Sequence, residues 1–157
     1  MSNNKTTVIT MNIHKKLQGI QSSLKAPKGQ TNKFGGYRYR SAEDILTSVK
    51  PLLAEWACTL VITDEMVEVG GRVYVKSTAV IASTDDSSDS SIHVNAYARE
   101  AETKKGMDDA QITGSASSYA RKYALNGLFA IDDTKDPDAT NKHDSLPKLT
   151  TKQESGF

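Results

Sequence analysis

Three strand-length runs at close spacing restrict what this chain can fold into more than any other feature. "TLVITDEMVEV" (59–69) and "RVYVKSTAVIA" (72–82) are separated only by Gly70-Gly71, and the polar stretch "STDDSSDS" separates the second run from "SIHVNAYAR" (91–99). Two glycines between two β-runs are a hairpin signal, because glycine reaches the positive φ values that tight hairpin turns demand. With the third run, the pattern predicts a three-stranded antiparallel meander. Such a sheet is not stable alone and needs a cover over its apolar face.

The segment after the third run supplies a cover. Asp108 is a good N-cap with Gln111 as the other half of a capping box, and Asn126-Gly127 is a natural stop, so a helix is expected from Asp108 to Leu125. At about 100° per residue, Ile112, Ala116, Tyr119, Ala120, Tyr123 and Ala124 fall on one face, expected to be core. Gln111, Gly114, Ser115, Ser118, Arg121 and Lys122 fall on the other, which is small and polar. An elongated anion can lie along such a face with its charge met by Arg121 and Lys122. A plainer alternative is a helix packed closely on a neighbour, with two basic residues complementing its C-terminal dipole.

Upstream, Ile9, Ile13, Leu17, Ile20 and Leu24 repeat at helical spacing, so "VITMNIHKKLQGIQSSLK" (8–25) is expected to be an amphipathic helix with His14, Lys15 and Lys16 off its stripe. Pro27 and Gly29 end it, and residues 26–40 form a Gly- and Lys-rich connection. Ser41 with Asp44 is a second capping pair. It opens a helix that buries Ile45, Leu46, Val49, Leu52, Leu53 and Trp56, with a kink or break expected at Pro51. The fold class is therefore α+β: a three-stranded antiparallel β-meander covered by a long helix (a β-β-β-α core), with preceding N-terminal helices. Residues 1–131 are expected to be one core with a basic N-terminal segment. Residues 132–157 have few apolar positions and no period, and are expected to be a disordered tail.

The net charge of +1 conceals an asymmetry. No acidic residue precedes Glu43, whereas Lys5, Lys15, Lys16, Lys25, Lys28, Lys33, Arg38 and Arg40 do, leaving 12 basic residues against all 19 acidic ones in the remainder. A one-signed third is the footprint of a polyanion. It also suits pairing with the acidic part of another subunit, and 37% hydrophobic residues is low enough for part of the surface to be buried in a homo-oligomer. The single cysteine, Cys58, forms no internal disulfide, and no apolar run approaches the ~18 residues of a membrane span. A soluble, cytoplasmic protein without a membrane partner is expected.

Catalysis finds little support. His14, His93 and His143 are far apart in sequence, and no Walker loop, dinucleotide fingerprint or zinc-type spacing occurs. Asp85, Asp86 and Asp89 lack the spacing of a calcium loop. No catalytic residue, metal or cofactor is assigned, and the chain is not expected to be an enzyme. Binding has better candidates. In "KFGGYRYR" an extended backbone puts Tyr37 and Tyr39 on one side and Arg38 and Arg40 on the other, a stacking surface beside a phosphate-binding one, with Lys33 adjacent. In "REAETKKGMDD", Arg99, Lys104 and Lys105 can add charge if the loop reaches over the last helix; a solvated loop is the alternative.

The stretches "YRYRSAEDILTSVKPLLAEWACTLVITDEMVEVGGRVYVKSTAVI" and "AYAREAETKKGMDDAQITGSASSYARKYALNGLFAIDDTKD" closely resemble the ERF (essential recombination function) family of phage single-strand annealing proteins, over about Lys33 to Asp136. That family is distantly similar to the eukaryotic strand-annealing recombination mediators. The resemblance implies a ring or filament that holds single-stranded DNA in a basic groove and anneals it independently of sequence and ATP, in the cytoplasm of an infected or lysogenic bacterial cell. Lys33, Tyr37, Arg38, Tyr39, Arg40, Lys104, Lys105, Arg121 and Lys122 are then the expected DNA-binding residues. In related proteins the tail often contacts a single-stranded DNA-binding protein. Two rivals stay open: a double-stranded RNA-binding-like module, disfavoured by Asp108 and Asp109 at the last helix's start, and a structural or inhibitory homo-oligomer without nucleic acid.

Overall fold

Gly70 and Gly71 take φ of 60° and 74°, the left-handed values that let two long strands turn back on each other without an intervening loop. In the computed structural model, which describes residues 11–85 and 90–132, the elements run α1 (Ile13–Ser23), β1 (Gln30–Asn32), β2 (Tyr37–Tyr39), α2 (Ala42–Glu55), β3 (Cys58–Val69), β4 (Arg72–Ser83), β5 (Ser91–Arg99) and α3 (Asp109–Leu128). The chain is α+β. β3, β4 and β5 form one antiparallel sheet in that order, and β1 and β2 form a separate two-stranded one. The turn expected at 83–90 lies partly outside the described residues. So do the first residues of the expected N-terminal helix and the expected tail beyond Asp132.

Register explains which face is covered. Ile62, Ala79 and Val94 are cross-strand partners, as are Leu60, Ile81 and Ile92, and these rows pack with α1, α2 and the end of α3 in one core. On the opposite face the rows Val61–Val80–His93 and Thr63–Thr78–Asn95 are at least partly exposed. The apolar-in, polar-out alternation of a half-covered antiparallel sheet accounts for this.

The helices follow their expected caps with local differences. Ser41 and Asp44 form a full capping box on α2, and the helix runs on through Pro51 without the expected break. The first described helix starts at Ile13, with the Asn12 side chain accepting from the Lys15 N–H. The last helix does not stop at Asn126-Gly127 but continues to Leu128. Leu125, Leu128 and Phe129 are fully buried, which draws that turn onto the core, and a Cβ at Gly127 would lie 3.1 Å from Val94 Cγ1, so glycine there serves close packing. The reversal falls at Ala130, with φ 49°, where the Ile131 N–H donates to the Asn126 carbonyl in a Schellman-type closure.

Lys16 was expected on the polar side of α1 and is instead almost fully buried. Its ammonium donates to the Ala57 carbonyl (3.3 Å), the Ser83 hydroxyl (2.8 Å) and the Asp85 carboxylate, so it ties α1 to both the start of β3 and the end of β4. Three acceptors satisfy the three ammonium protons, which is the condition for burying such a group. Helical spacing cannot announce acceptors that come from residues 41 to 69 positions away.

Trp56 sets a second constraint on α1. A Cβ at Gly19 would come 2.4 Å from the Trp56 ring. Gly19→Ala gains up to about 1 kcal/mol of helix propensity, but the overpacking costs about 1–3 kcal/mol. The net expectation is a loss of stability, checked by denaturant unfolding. It should be relieved when Trp56 is also shortened to leucine.

Candidate nucleic-acid interface

The way α3 meets the sheet decides which of its residues remain available. Ala116 and Ala120 pack with Val75 and Ala98, and Ala124 joins Ala79 and Ala96 in the main core. Alanine on helix and sheet brings the two close together. Tyr119 and Tyr123, expected in the core, cannot enter so thin a seam and are 51% and 47% exposed on its flank. Their ring centroids are 6.1 Å apart. The Lys122 ammonium sits 5.5 Å from the Tyr119 ring, 5.8 Å from Tyr123 and 5.9 Å from Tyr39 of β2, three distances within cation–π range.

Two clefts open on this flank. One, of about 370 Å³, lies between the free edge of β5 and α3 and is lined by Tyr97, Arg99, Lys104, Tyr119 and Tyr123 among others. The other, about 290 Å³, lies between α3 and the base of the β1–β2 hairpin, with Tyr39, Arg40, Ser118 and Lys122 in its wall. Ser115 and Tyr119 line both, so the clefts adjoin as one trough. Tyrosines and cationic side chains share its walls, and among the described residues Glu43 is the one acidic residue lining it.

The hairpin that closes one end was not foreseen within the 26–40 connection. Its turn is built by Asn32, whose side-chain carbonyl accepts from the Phe34 and Gly35 N–H groups (2.9 and 3.0 Å) and whose backbone carbonyl accepts from the Gly36 N–H. Gly36 has φ 65°, a conformation that disfavours any side chain there. Tyr37 and Tyr39 share a side of β2 with centroids 6.3 Å apart, edge to face. The hairpin is tied to the body by Arg40, whose Nε donates to the Ala26 carbonyl at 2.7 Å, and by Gln30, which reaches Asp44. The Asp44 carboxyl is held below its ordinary range mainly by the Ser41 backbone N–H, which with the Ser41 hydroxyl, Gln30 and Arg40 outweighs the effect of burial.

Arg121 and Lys122 adjoin in sequence but serve opposite flanks of α3. Arg121 turns toward β3, where Nε and Nη2 both lie 2.9 Å from an Asp64 oxygen. Ser117 and Ser77 also donate to that carboxylate. Burial pushes the Asp64 pKa up, but the Arg121, Ser117 and Ser77 hydrogen bonds and the arginine charge together leave it lowered. Arg121 therefore clamps helix to sheet, while Lys122 faces the trough.

Of the other expected residues, Tyr39, Arg40 and Lys104 line the trough. Lys33, Tyr37, Arg38 and Lys105 are exposed but do not line these clefts. Tyr97, Tyr119 and Tyr123 also line the trough and were not among the expected residues. The available signal was the i, i+4 tyrosine pair on either side of Ala120 and Lys122, discounted because aromatic residues at helical spacing usually mark a core. Among the described residues no helix is long and apolar enough to cross a membrane, and no cluster of three or more His, Cys, Asp or Glu is arranged to hold a metal.

The family model of the ERF superfamily matches residues 13–155. The chain belongs to the ERF superfamily. It is 57% identical over 128 residues to the protein of Salmonella phage P22 named essential recombination function protein, an alignment covering 82% of this chain and 59% of that relative. The chain thus spans about three-fifths of the relative it matches. No solved structure matches it.

The Asp64–Arg121 clamp makes two expectations. Reversing either charge alone, Asp64→Arg or Arg121→Asp, should cost about 1–3 kcal/mol for so partly exposed a pair, and the double reversal should recover at least half, read by thermal unfolding. Because the folded Asp64 pKa lies below its unfolded value of about 3.9, the clamp is at full strength above that pH and fades as pH falls through the folded value. The stability gap between the parent and Asp64→Asn should therefore narrow as the pH is taken from about 5 down through and below about 3.9.

Proposed function

We propose that this chain binds and anneals single-stranded DNA in phage homologous recombination, without nucleotide, metal or catalytic residue. Membership of the ERF superfamily and the name of the P22 relative support the recombination role. The observation that carries the finer reading is the trough in which Lys122 stands among Tyr39, Tyr119 and Tyr123, with Arg40, Arg99 and Lys104 along the same path. Stacked rings accept any base, and ammonium and guanidinium groups accept any phosphate, so the arrangement favours a strand without favouring a sequence. Annealing follows if phosphates are held in the trough and base edges stay open to a second strand. Pairing then selects the partner, and the protein lowers the repulsion between strands.

The chain would act as a homo-oligomer, a ring or filament, in the cytoplasm of an infected or lysogenic bacterium. Met66, Val69 and Val73 toward the turn of the β3–β4 hairpin, and Val61 near the start of β3, are 38–60% exposed, apolar surface of the kind that subunit contacts cover. A single weak trough repeated in each subunit gives avidity along a strand. A single-stranded DNA-binding protein is the proposed partner of residues 132–157. The double-stranded RNA rival is disfavoured by α3 itself, whose first turn is capped by Asp108 and carries Asp109, carboxylates where that module needs basic groups.

Complementary oligonucleotides should anneal faster with the protein present and no ATP, and affinity for oligothymidylate should fall steeply with salt. Lys122→Ala should reduce the log–log salt slope by about 0.7, one single-strand phosphate contact. Tyr119→Ala should cost about 1–3 kcal/mol of affinity and leave the slope unchanged. Filter binding across a salt series reads both. Parent-like binding by both variants would remove the trough from consideration.

A further inference from the structure

Phe34 is the most exposed large apolar side chain among the described residues, at 104% of its reference surface, and it sits at the tip of the β1–β2 hairpin. Its exposure is not that of a loose loop. The Asn32 side chain accepts the Phe34 N–H, Gly36 closes the turn, and the Tyr37 hydroxyl accepts from Asn32 Nδ2 at 2.9 Å. The Tyr37 ring lies so near the turn that a Cβ on Gly35 would come within 2.4 Å of it. An aromatic ring held into solvent by a braced turn is preorganised for a contact rather than left over from packing.

The neighbours indicate the kind of contact. Subunit interface cores are depleted in lysine and acidic groups around their aromatic anchors. Phe34 is instead flanked by Lys33 and two glycines, with Lys28, Arg38 and Arg40 on the same acid-free segment. Rings among cations, with bare backbone beside them, match nucleotides rather than another apolar surface. From Tyr39, at the trough, the strand carries the chain outward roughly 7 Å to Tyr37 and then through the turn, so the tip stands beyond the trough wall.

We propose that Phe34 is a second stacking point for single-stranded DNA, a finger that takes a base of the strand whose neighbouring nucleotides lie along the Lys122 trough. The inference rests on the single-strand-binding reading above. It adds a contact outside the clefts and assigns the hairpin as a DNA-gripping element.

The test uses the full chain and oligothymidylate. Phe34→Ala should weaken binding roughly 5- to 140-fold with no change in salt slope, since stacking releases no counterions. Phe34→Trp should bind like the parent, and its added fluorescence, taken as the difference from parent Trp56 emission, should be quenched by the strand. Circular dichroism should be unchanged, because Phe34 buries nothing in the chain. If the parent binds and both variants match it without quenching, the inference fails and the single-strand reading stands. If Phe34→Ala instead shifts sedimentation to smaller species, the ring is a subunit anchor and the inference also fails. If the parent itself does not bind oligothymidylate, the single-strand reading falls and takes this inference with it.

Discussion

The alanine seam between α3 and the sheet is the constraint on which the rest depends. Ala116, Ala120 and Ala124 against Val75, Ala79, Ala96 and Ala98 bring the helix close, and closeness dictates where everything larger must go. Tyrosines move to one flank and Arg121 to the other. A bulkier residue at Ala120, which is fully buried, would lift the helix and change the trough and the Asp64 clamp together. Packing and site are thus one problem in this chain, because the same interface that closes the core sets the aromatic rings in the open.

Charge is distributed by a similar division. Of the basic residues that make the N-terminal third one-signed, Lys16 is spent inside the protein on Ala57, Ser83 and Asp85, and Arg40 donates one proton to Ala26. Arg121 is likewise engaged with Asp64. A count of basic residues therefore overstates the surface field; those that line the trough are Arg40, Arg99, Lys104 and Lys122, with Lys33 and Arg38 exposed on the hairpin. Glu65 engages Lys76 at 2.9 Å on the open face of the sheet.

Much of the fold was legible because it is written in local chemistry. The Gly70-Gly71 turn, the Ser41 and Asp108 capping boxes and the limits of β5 each depend on residues within a few positions of one another. What escaped the sequence depends on partners distant along the chain. Lys16 looked solvent-facing until acceptors arrived from β3 and β4, and Asn126-Gly127 looked like a stop until Val94 and the buried Leu128 made continuation favourable. The candidate site shows the same pattern. Tyr39, Arg40, Lys104 and Lys122, expected from strand alternation, loop charge and helix face, line the trough, whereas Tyr119 and Tyr123 were expected in the core because helical periodicity gives direction but not the depth of the seam. The β1–β2 hairpin was missed because three-residue strands carry almost no alternation.

The ring of tyrosines around Lys122 has a consequence for timing. A lysine side chain free in solvent holds about 2 kcal/mol of rotamer entropy, which is ordinarily surrendered when it meets its ligand. Here three rings within 6 Å already restrict the ammonium in the unliganded chain. Part of that entropy is given up during folding, once, rather than at every encounter. A polyanion reaching this point would meet a charge already partly confined, so a share of the ordering cost would fall before contact instead of on it.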